Sequence, residues 1–359
     1  MEKIEVLHVI ARMNRGGTSR YLYELVSRMP NNAIATGFVQ GSELEETFLN
    51  NLPVIRIPNL GRRIALIKDF KAWLELFAVI REISPRIVHT HTFKAGLIGR
   101  LIPGNHKRIH TFHGHLLKDE SFNPISKKII LIIERILSNK TDICVSVGET
   151  VGDELRKAGI SGKAWVSIPP GIQALPQIGQ SKARASFNLR NSKLIVGWMA
   201  RMTAVKNPEL VFDVARKLPE IQFVMAGEGD MFNLVARTAP QNIKVIGWAN
   251  AANFWSAVDI ALSTSHNEGM PIALIEAQLA GLPVVCTDVG SNSEVIQNGR
   301  TGFVTAINVD ELAMAIEKLE TEITLRETMG RCGAERAKSK FSIQNFISAH
   351  QSIYGSVLD

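Results

Sequence analysis

DIALSTSHNEGMPIALIEAQLAGLPVVCT, residues 259–287, decides the fold. Its two ends, DIALST (259–264) and PVVCT (283–287), are apolar runs of strand length. Between them, 271–280 carries a helical pattern, with Pro271 suited to the first helical position because it has no N–H to lose. Strand, helix and strand in so short a span form a right-handed crossover between parallel strands. Glu268 then falls in the loop after the first strand. The amides around Gly269, Met270 and the residues after Pro271 would point the positive end of the helix dipole at an anion, which makes a seat for a diphosphate. Glu276 follows eight residues later, inside an otherwise apolar helix. A carboxylate there needs donors, because burying it bare costs several kcal/mol. Sugar hydroxyls would serve; so would a neighbouring backbone or a buried Arg.

Working outward, the same alternation runs through the chain. Upstream strand candidates are IEVLHVI (4–10), PVIRIP (53–58), RIVHTH (86–91), KRIHTF (107–112) and DICVSV (142–147), with helical stretches at 68–83 and 125–138. SIPPGIQALPQIGQS (167–181) has no periodicity and reads as a linker. After it the series restarts with LIVGWM (194–199), IQFVMA (221–226) and IKVIGW (243–248), with helices at 207–217 and 251–257. Helical segments at 309–320, 322–338 and 341–357 close the chain. Two βαβ series joined by a linker imply an α/β protein of two Rossmann-like, doubly wound domains. We place them at 1–167 and at 168–340. Ligands of such sheets bind at the carboxyl ends of the strands, so the cleft between the domains is the expected site.

Arg201 and Lys206, in GWMARMTAVKNPEL (197–210), follow the first strand of the second series. Two cations there would neutralise a leaving diphosphate; the plainer reading is a solvated basic loop. Gly16 and Gly17 follow the first strand and let backbone approach a phosphate, as any tight turn also would. Six histidines cluster in sequence: His89, His91, His106, His110, His113 and His115. Residues two apart share a strand face, so His89/His91 and His113/His115 have metal-site spacing. No HExxH and no DxD accompanies them, which favours a reading without metal, in which imidazoles meet sugar hydroxyls or phosphate. AGEGDM (226–231) lacks the third glycine of a dinucleotide fingerprint, and this disfavours a nicotinamide dehydrogenase.

Composition narrows the class. Residues 1–167 hold 24 Lys and Arg against 16 Asp and Glu, whereas 168–359 hold 17 against 18, so the excess positive charge is all in the first half. That balance suits an anionic ligand or an anionic membrane surface. Nucleic acid is disfavoured, because no binding motif or aromatic interleaving accompanies the basic residues. Cys144, Cys286 and Cys332 form no CxxC, which points to a reducing cytosol. The opening MEKIEVLHVIARMNRGG does not read as a signal peptide, and no stretch approaches the ~20 apolar residues of a membrane span. ISKKIILIIERIL (125–137) is a basic-flanked apolar stretch with two readings: it lies in a membrane interface, or Ile129, Ile132, Ile133 and Ile136 face the core.

Taken together, GGTSRYLYEL (16–25), HTHTFKAGLIGR (89–100), HTFHGH (110–115), VSVGE (145–149), Arg201-x4-Lys206, AGEGD (226–230) and Glu268-x7-Glu276 within EGMPIALIEA resemble the retaining GT-B glycosyltransferases of family 4. The resemblance covers nearly the whole chain. It implies the GT-B fold, with the terminal helix 341–359, which carries FSIQNFISAHQSIY (341–354), crossing back to join the first domain. It implies that the glycine pair and the Gly269-Met270-Pro271 amides hold the diphosphate, and that Arg201 and Lys206 stabilise its charge. It implies that Glu276 bonds the ribose, Glu268 contacts sugar hydroxyls, and His113 touches the donor sugar. The segment around Gly227, Glu228 and Trp248 would lie near the base. More loosely, the histidine motifs are similar to bacterial enzymes that extend lipid-linked saccharides for O-antigen, capsule or exopolysaccharide. This implies a UDP-sugar donor, a lipid-linked saccharide acceptor and work at the inner face of the cytoplasmic membrane, with no cofactor. The alternatives are a nucleotide-sugar epimerase on the same architecture and a catalytically idle binding subunit.

Overall fold

The computed structural model describes residues 3–39, 45–61, 64–114, 123–189 and 194–359. It divides into two compact units, 1–171 with 343–359, and 172–342. Each is a doubly wound, parallel α/β sheet.

The first unit has seven strands: β1 Val6–Ile10, β2 Asn32–Thr36, β3 Val54–Arg56, β4 Ile87–His91, β5 Lys107–Phe112, β6 Ile143–Ser146 and β7 Trp165–Ser167. They lie in the order β3-β2-β1-β4-β5-β6-β7. The second unit has six: β8 Ile195–Met199, β9 Gln222–Ala226, β10 Ile243–Val245, β11 Ile260–Ser263, β12 Val284–Thr287 and β13 Gly302–Thr305, in the order β10-β9-β8-β11-β12-β13. Chain order reverses beside β1/β4 in one sheet and beside β8/β11 in the other. At such a point adjacent loops diverge and leave a crevice at the strands' carboxyl ends. Central strands are buried on both faces, which explains the apolar run of β8 and the mostly apolar β1, where His8 is the one polar residue.

The long periodic segments form as expected, within two residues at their ends. Three strands gave no sequence signal. β2 (NAIAT) opens on Asn and alternates small residues, β7 (WVS) has three residues, and β13 (GFVT) opens on glycine. The expected linker is shorter than read, since 180–186 is helical and Arg184 there pairs with Asp259 at 2.6 Å. Pro271 stands one residue before the helix Ile272–Leu279 rather than inside it.

One expectation is overturned. In the helix Pro124–Ser138, Ile130 and Leu137 are buried, but Ile129, Ile132 and Ile136 are 53–55% exposed, so these isoleucines do not face the core. The helix is held instead by Glu134, whose two carboxylate oxygens both accept from Arg100 Nη2, at 2.8 and 2.7 Å, in the interior.

Candidate active site

In the second unit, the loops after β8 and β11 are bound together by groups that are easy to overlook in the sequence. Buried Trp198 donates its indole N–H to Thr264 Oγ1 at 3.0 Å. Thr264 in turn donates toward the carbonyls of Lys206 and Asn207 at 3.1 and 2.9 Å. The His266 amide bonds the Val205 carbonyl at 2.9 Å. These ties set Lys206 beside Glu268: Nζ lies 2.6 Å from Oε1, and Ser265 Oγ donates to the same oxygen at 2.7 Å. The pair is mostly shielded, with side-chain exposures of 18% and 10%. Lys206 is therefore not a solvated loop lysine. It is an ammonium held at the end of the sheet, with donors to spare.

Glycines set the shape of this region. Gly227 has φ +135°, and a Cβ on it would lie 1.9 Å from the Ala200 carbonyl oxygen. The AGEGD loop is thus pressed against the Arg201 loop, and the Met202 amide bonds the Glu228 carbonyl at 3.0 Å. Gly290 has φ +53°, and a Cβ there would meet the Glu268 carbonyl oxygen at 1.9 Å. Sequence reading passed over Gly290 because it belongs to no motif; only the loop it supports shows its part. Around this frame Arg201, Glu228 and Trp248 are exposed, Gly269 and Glu276 are half-buried, and Met270 and Pro271 are buried. The leading amides of the helix Ile272–Leu279 lack intrahelical acceptors, as at any helix start.

In the first unit, Gly16 immediately precedes the helix Gly17–Val26, and its amide bonds the Glu46 carboxylate at 3.3 Å. One turn into that helix, Tyr21 reaches a buried set of histidines. Parallel register places His8 opposite His89, and His91 opposite Thr111. His8, His89 and His91 lie on one face; His110 bonds Thr90 at 2.7 Å through the other residue parity. His113 follows β5 by one residue and is half-buried. His106 lies apart at the start of β5, and His115 is outside the described residues. Two members were missed by sequence clustering. His8 is isolated in β1, and His350 sits in the last helix, Ile343–Leu358, beside Tyr354.

Every ring nitrogen of the inner three is engaged. His8 Nε2 meets Asn32 Oδ1 at 2.9 Å, and His8 Nδ1 meets His91 Nε2 at 3.1 Å. His91 Nδ1 meets His113 Nε2 at 3.0 Å. His89 bonds the Tyr354 hydroxyl at 2.8 Å and Thr111 Oγ1 at 2.7 Å. Ligand atoms of His8, His89 and His91 do lie within 4.8 Å of one another. A metal there would have to displace these bonds. Burial lowers the imidazole of His8 to about 4 and those of His113 and His350 to about 3, and holds His89 and His91 well below the ordinary value. At neutral pH the cluster is uncharged.

Comparison with known proteins decides the assignment. The family model "Glycosyltransferase Family 4" matches residues 15–174, and "Glycosyl transferases group 1" matches 179–336. The chain belongs to glycosyltransferase family 4. This glycosyltransferase is 24% identical to the UDP-Gal:alpha-D-GlcNAc-diphosphoundecaprenol alpha-1,3-galactosyltransferase of Escherichia coli, over 92% of this chain and 91% of the relative. It is 26% identical to the capsular polysaccharide biosynthesis glycosyltransferase CapM of Staphylococcus aureus, over 83% and 84%. Its fold is that of sucrose-phosphate synthase from Thermosynechococcus elongatus (TM-score 0.84, 18% identity, 99% of each chain). Anabaena HepE, solved in complex with UDP and glucose, is equally similar in fold (TM-score 0.84, 18% identity, 98% of this chain and 100% of that one).

Proposed function

We propose that this family 4 enzyme moves a sugar, with retention of anomeric configuration and without a metal, from a UDP-sugar to a hydroxyl of a lipid-linked saccharide in surface polysaccharide synthesis. The observation that carries this is the shielded Lys206–Glu268 pair at the ends of β8 and β11, beside the start of the helix Ile272–Leu279. As the bond from the anomeric carbon to the diphosphate oxygen breaks, Lys206, Arg201 and the Gly269–Pro271 segment take up the negative charge. Preorganised charge of this kind is the largest expected contribution to the rate. The acceptor oxygen bonds the same carbon from the same face, and its proton passes to the departing phosphate oxygen. Glu276 holds the ribose, Glu268 a sugar hydroxyl, and Gly227, Glu228 and Trp248 lie toward the base. Gly16 and Gly17 serve the diphosphate, and His113 meets a hydroxyl of a bound sugar.

The lipid-linked acceptor is suggested by the relatives, one of which is named for a diphosphoundecaprenol-linked sugar. A surface of the first unit supports it. Leu66, Ile67 and Phe70 on the helix Leu66–Ile83, and Ile125, Ile129, Ile132 and Ile136 on Pro124–Ser138, are all exposed, with Lys68, Lys71 and Lys128 among them. Both helices pack on Phe93–Gly99 and so share one side of the sheet. No helix among the described residues is long and apolar enough to cross a membrane. This face suits shallow contact with anionic lipid. The test is transfer from a UDP-sugar to a lipid-linked acceptor, with the new linkage read by NMR. We expect the donor's configuration retained, a rate unchanged by EDTA, and flotation with vesicles containing phosphatidylglycerol but not phosphatidylcholine alone. Inversion, EDTA inhibition or donor isomerisation without an acceptor would overturn the reading.

A further inference from the structure

The histidine cluster contains two hydrogen-bonded chains, and each has a fixed direction. A neutral imidazole has one N–H and one lone pair, so settling one nitrogen settles the other. A backbone carbonyl can only accept. The first chain starts at the Pro30 carbonyl, which receives Asn32 Nδ2–H at 2.9 Å. That orients the amide, so Asn32 Oδ1 faces His8 and accepts its Nε2–H. His8 Nδ1 is then a lone pair, and His91 Nε2–H must donate to it. His91 Nδ1 is therefore a lone pair, and His113 Nε2–H must donate to it. The remaining nitrogen of His113, Nδ1, carries no proton. Among the described residues no hydrogen bond reaches it, and the residue is half-buried.

The second chain starts at the Phe346 carbonyl, which receives His350 Nδ1–H at 2.9 Å. Tyr21 donates its hydroxyl to His350 Nε2 at 3.0 Å, and Thr111 bonds the Tyr21 oxygen. His89 Nε2–H donates to Thr111, and Tyr354 donates to His89 Nδ1. This chain begins and ends on the last helix and makes no hydrogen bond to His113, which the Tyr21 ring meets only edge-on with centroids 4.9 Å apart.

We infer that Pro30 and Asn32, acting through His8 and His91, hold His113 in the Nε2–H tautomer, so that its Nδ1 offers only a lone pair to the bound ligand. Asn32, His8 and His91 are positioning residues. The ligand group met by Nδ1 must then carry a hydrogen: a sugar hydroxyl, not a phosphate oxygen, which has only lone pairs to present. The array is not a proton wire, because the Asn32 amide can neither take up nor release a proton at its far end. Its effect is selection by hydrogen-bond polarity. A site that accepts a hydroxyl proton leaves its own lone pair unmet by an analogue lacking that hydroxyl.

The ligand half of this inference rests on the proposed contact between His113 and a bound sugar; the tautomer does not. The test is a long-range 1H–15N correlation spectrum of the full chain with 15N-labelled histidine near pH 7.5, with His113 assigned by its absence in His113→Gln. The expected pattern is a protonated Nε2 and a bare Nδ1. In Asn32→Leu, which removes the anchor at similar volume, and in His91→Phe, which cuts the chain beside His113, the pattern should change to a mixture of tautomers. Turnover in both should fall about fivefold to tenfold, the worth of one hydrogen bond. A wild-type spectrum with the proton on Nδ1 overturns the inference without any variant having to fold. So does an Asn32→Leu spectrum identical to wild type. If His113→Ala turns over at the wild-type rate, the sugar contact is lost while the nitrogen shifts still report the tautomer.

Discussion

The two sheets present opposite chemistry at the same topological place. Beside β8/β11 the second unit holds charge: an ammonium, a carboxylate and a helix start. Beside β1/β4 the first unit holds uncharged rings whose burial keeps them neutral. Both solutions cost free energy of desolvation, and each offsets it differently. The charged site pairs its ions and keeps them near the surface, whereas the neutral site meets every nitrogen of its inner three rings, His8, His89 and His91, with a bond. The contrast suggests a division of labour. Under the proposed reaction, charge would serve where a diphosphate departs, and fixed hydrogen-bond direction where an uncharged sugar must be oriented.

The largest test of that division is Lys206→Ala. Removing one preorganised charge from a departing phosphate should lower turnover roughly 10²–10³-fold. Steady-state donor consumption measures it, with thermal unfolding confirming that the second unit stays folded. Turnover within threefold of wild type would mean that the charged site is not where the diphosphate sits.

Acid separates the two units next. Eight of the nine histidines are in the first unit; His266 is the exception. Burial depresses the folded values of seven of them, His8, His89, His91, His106, His110, His113 and His350, so protons bind the unfolded chain first. The stability these groups confer is complete above about pH 6.5 and is lost as pH falls toward 4. His8 alone, lowered from 6.5 to about 4, should lose about 3 kcal/mol by pH 4. Hydrogen exchange with mass spectrometry, run from pH 7 to 4.5 and corrected for intrinsic rates, should show β1, β4 and β5 losing protection before β8, β9 and β11. Simultaneous loss in both sheets would refute this account of the first unit's interior.

Gly290→Ala is expected to be smaller. The left-handed backbone and the Glu268 carbonyl leave no room for a methyl group, at about 1–3 kcal/mol. It should lower the urea midpoint of the second unit and reduce turnover together, because the displaced loop carries Glu268. A variant that is destabilised but fully active would show that the position of Glu268 tolerates movement.

Much of the molecule was legible in the sequence, for definite reasons. Parallel strands buried on both faces give nearly uninterrupted apolar runs, so β8 and β11 declared themselves. The residues at their carboxyl ends, Arg201, Lys206 and Glu268, were found by position. β2 was missed because it opens on Asn and carries small residues, and β7 because it has three residues; both owe their state to neighbours. Thr264 and Ser265 were missed because a hydroxyl's value lies in what it touches. His8 was missed because clustering along the chain cannot see parallel register, which pairs it with His89, 81 positions on, and His350 because it comes in on a helix far along the chain. The exposed isoleucines of Pro124–Ser138 mislead for a related reason. A helix with a large apolar face normally buries it, and only the Arg100–Glu134 pair shows that this one is held by its other side.

The finest comparison lies inside the first unit, between its two chains. Tyr354→Phe removes the hydroxyl that donates to His89 Nδ1 and changes nothing in the Asn32–His8–His91–His113 sequence. It leaves one buried lone pair without a donor, which should cost about 1 kcal/mol, read as a lower urea midpoint at unchanged slope. Turnover and the His113 nitrogen shifts should stay at wild-type values, because the second chain is anchored independently on Phe346. Asn32→Leu should do the reverse in proportion, shifting the His113 nitrogens and the rate more than a comparable loss of stability predicts. If Tyr354→Phe moves the His113 tautomer as Asn32→Leu does, the stacked His89 and His91 rings, 4.3 Å apart, couple the two chains into one network. Direction at His113 would then depend on the last helix as well as on β2.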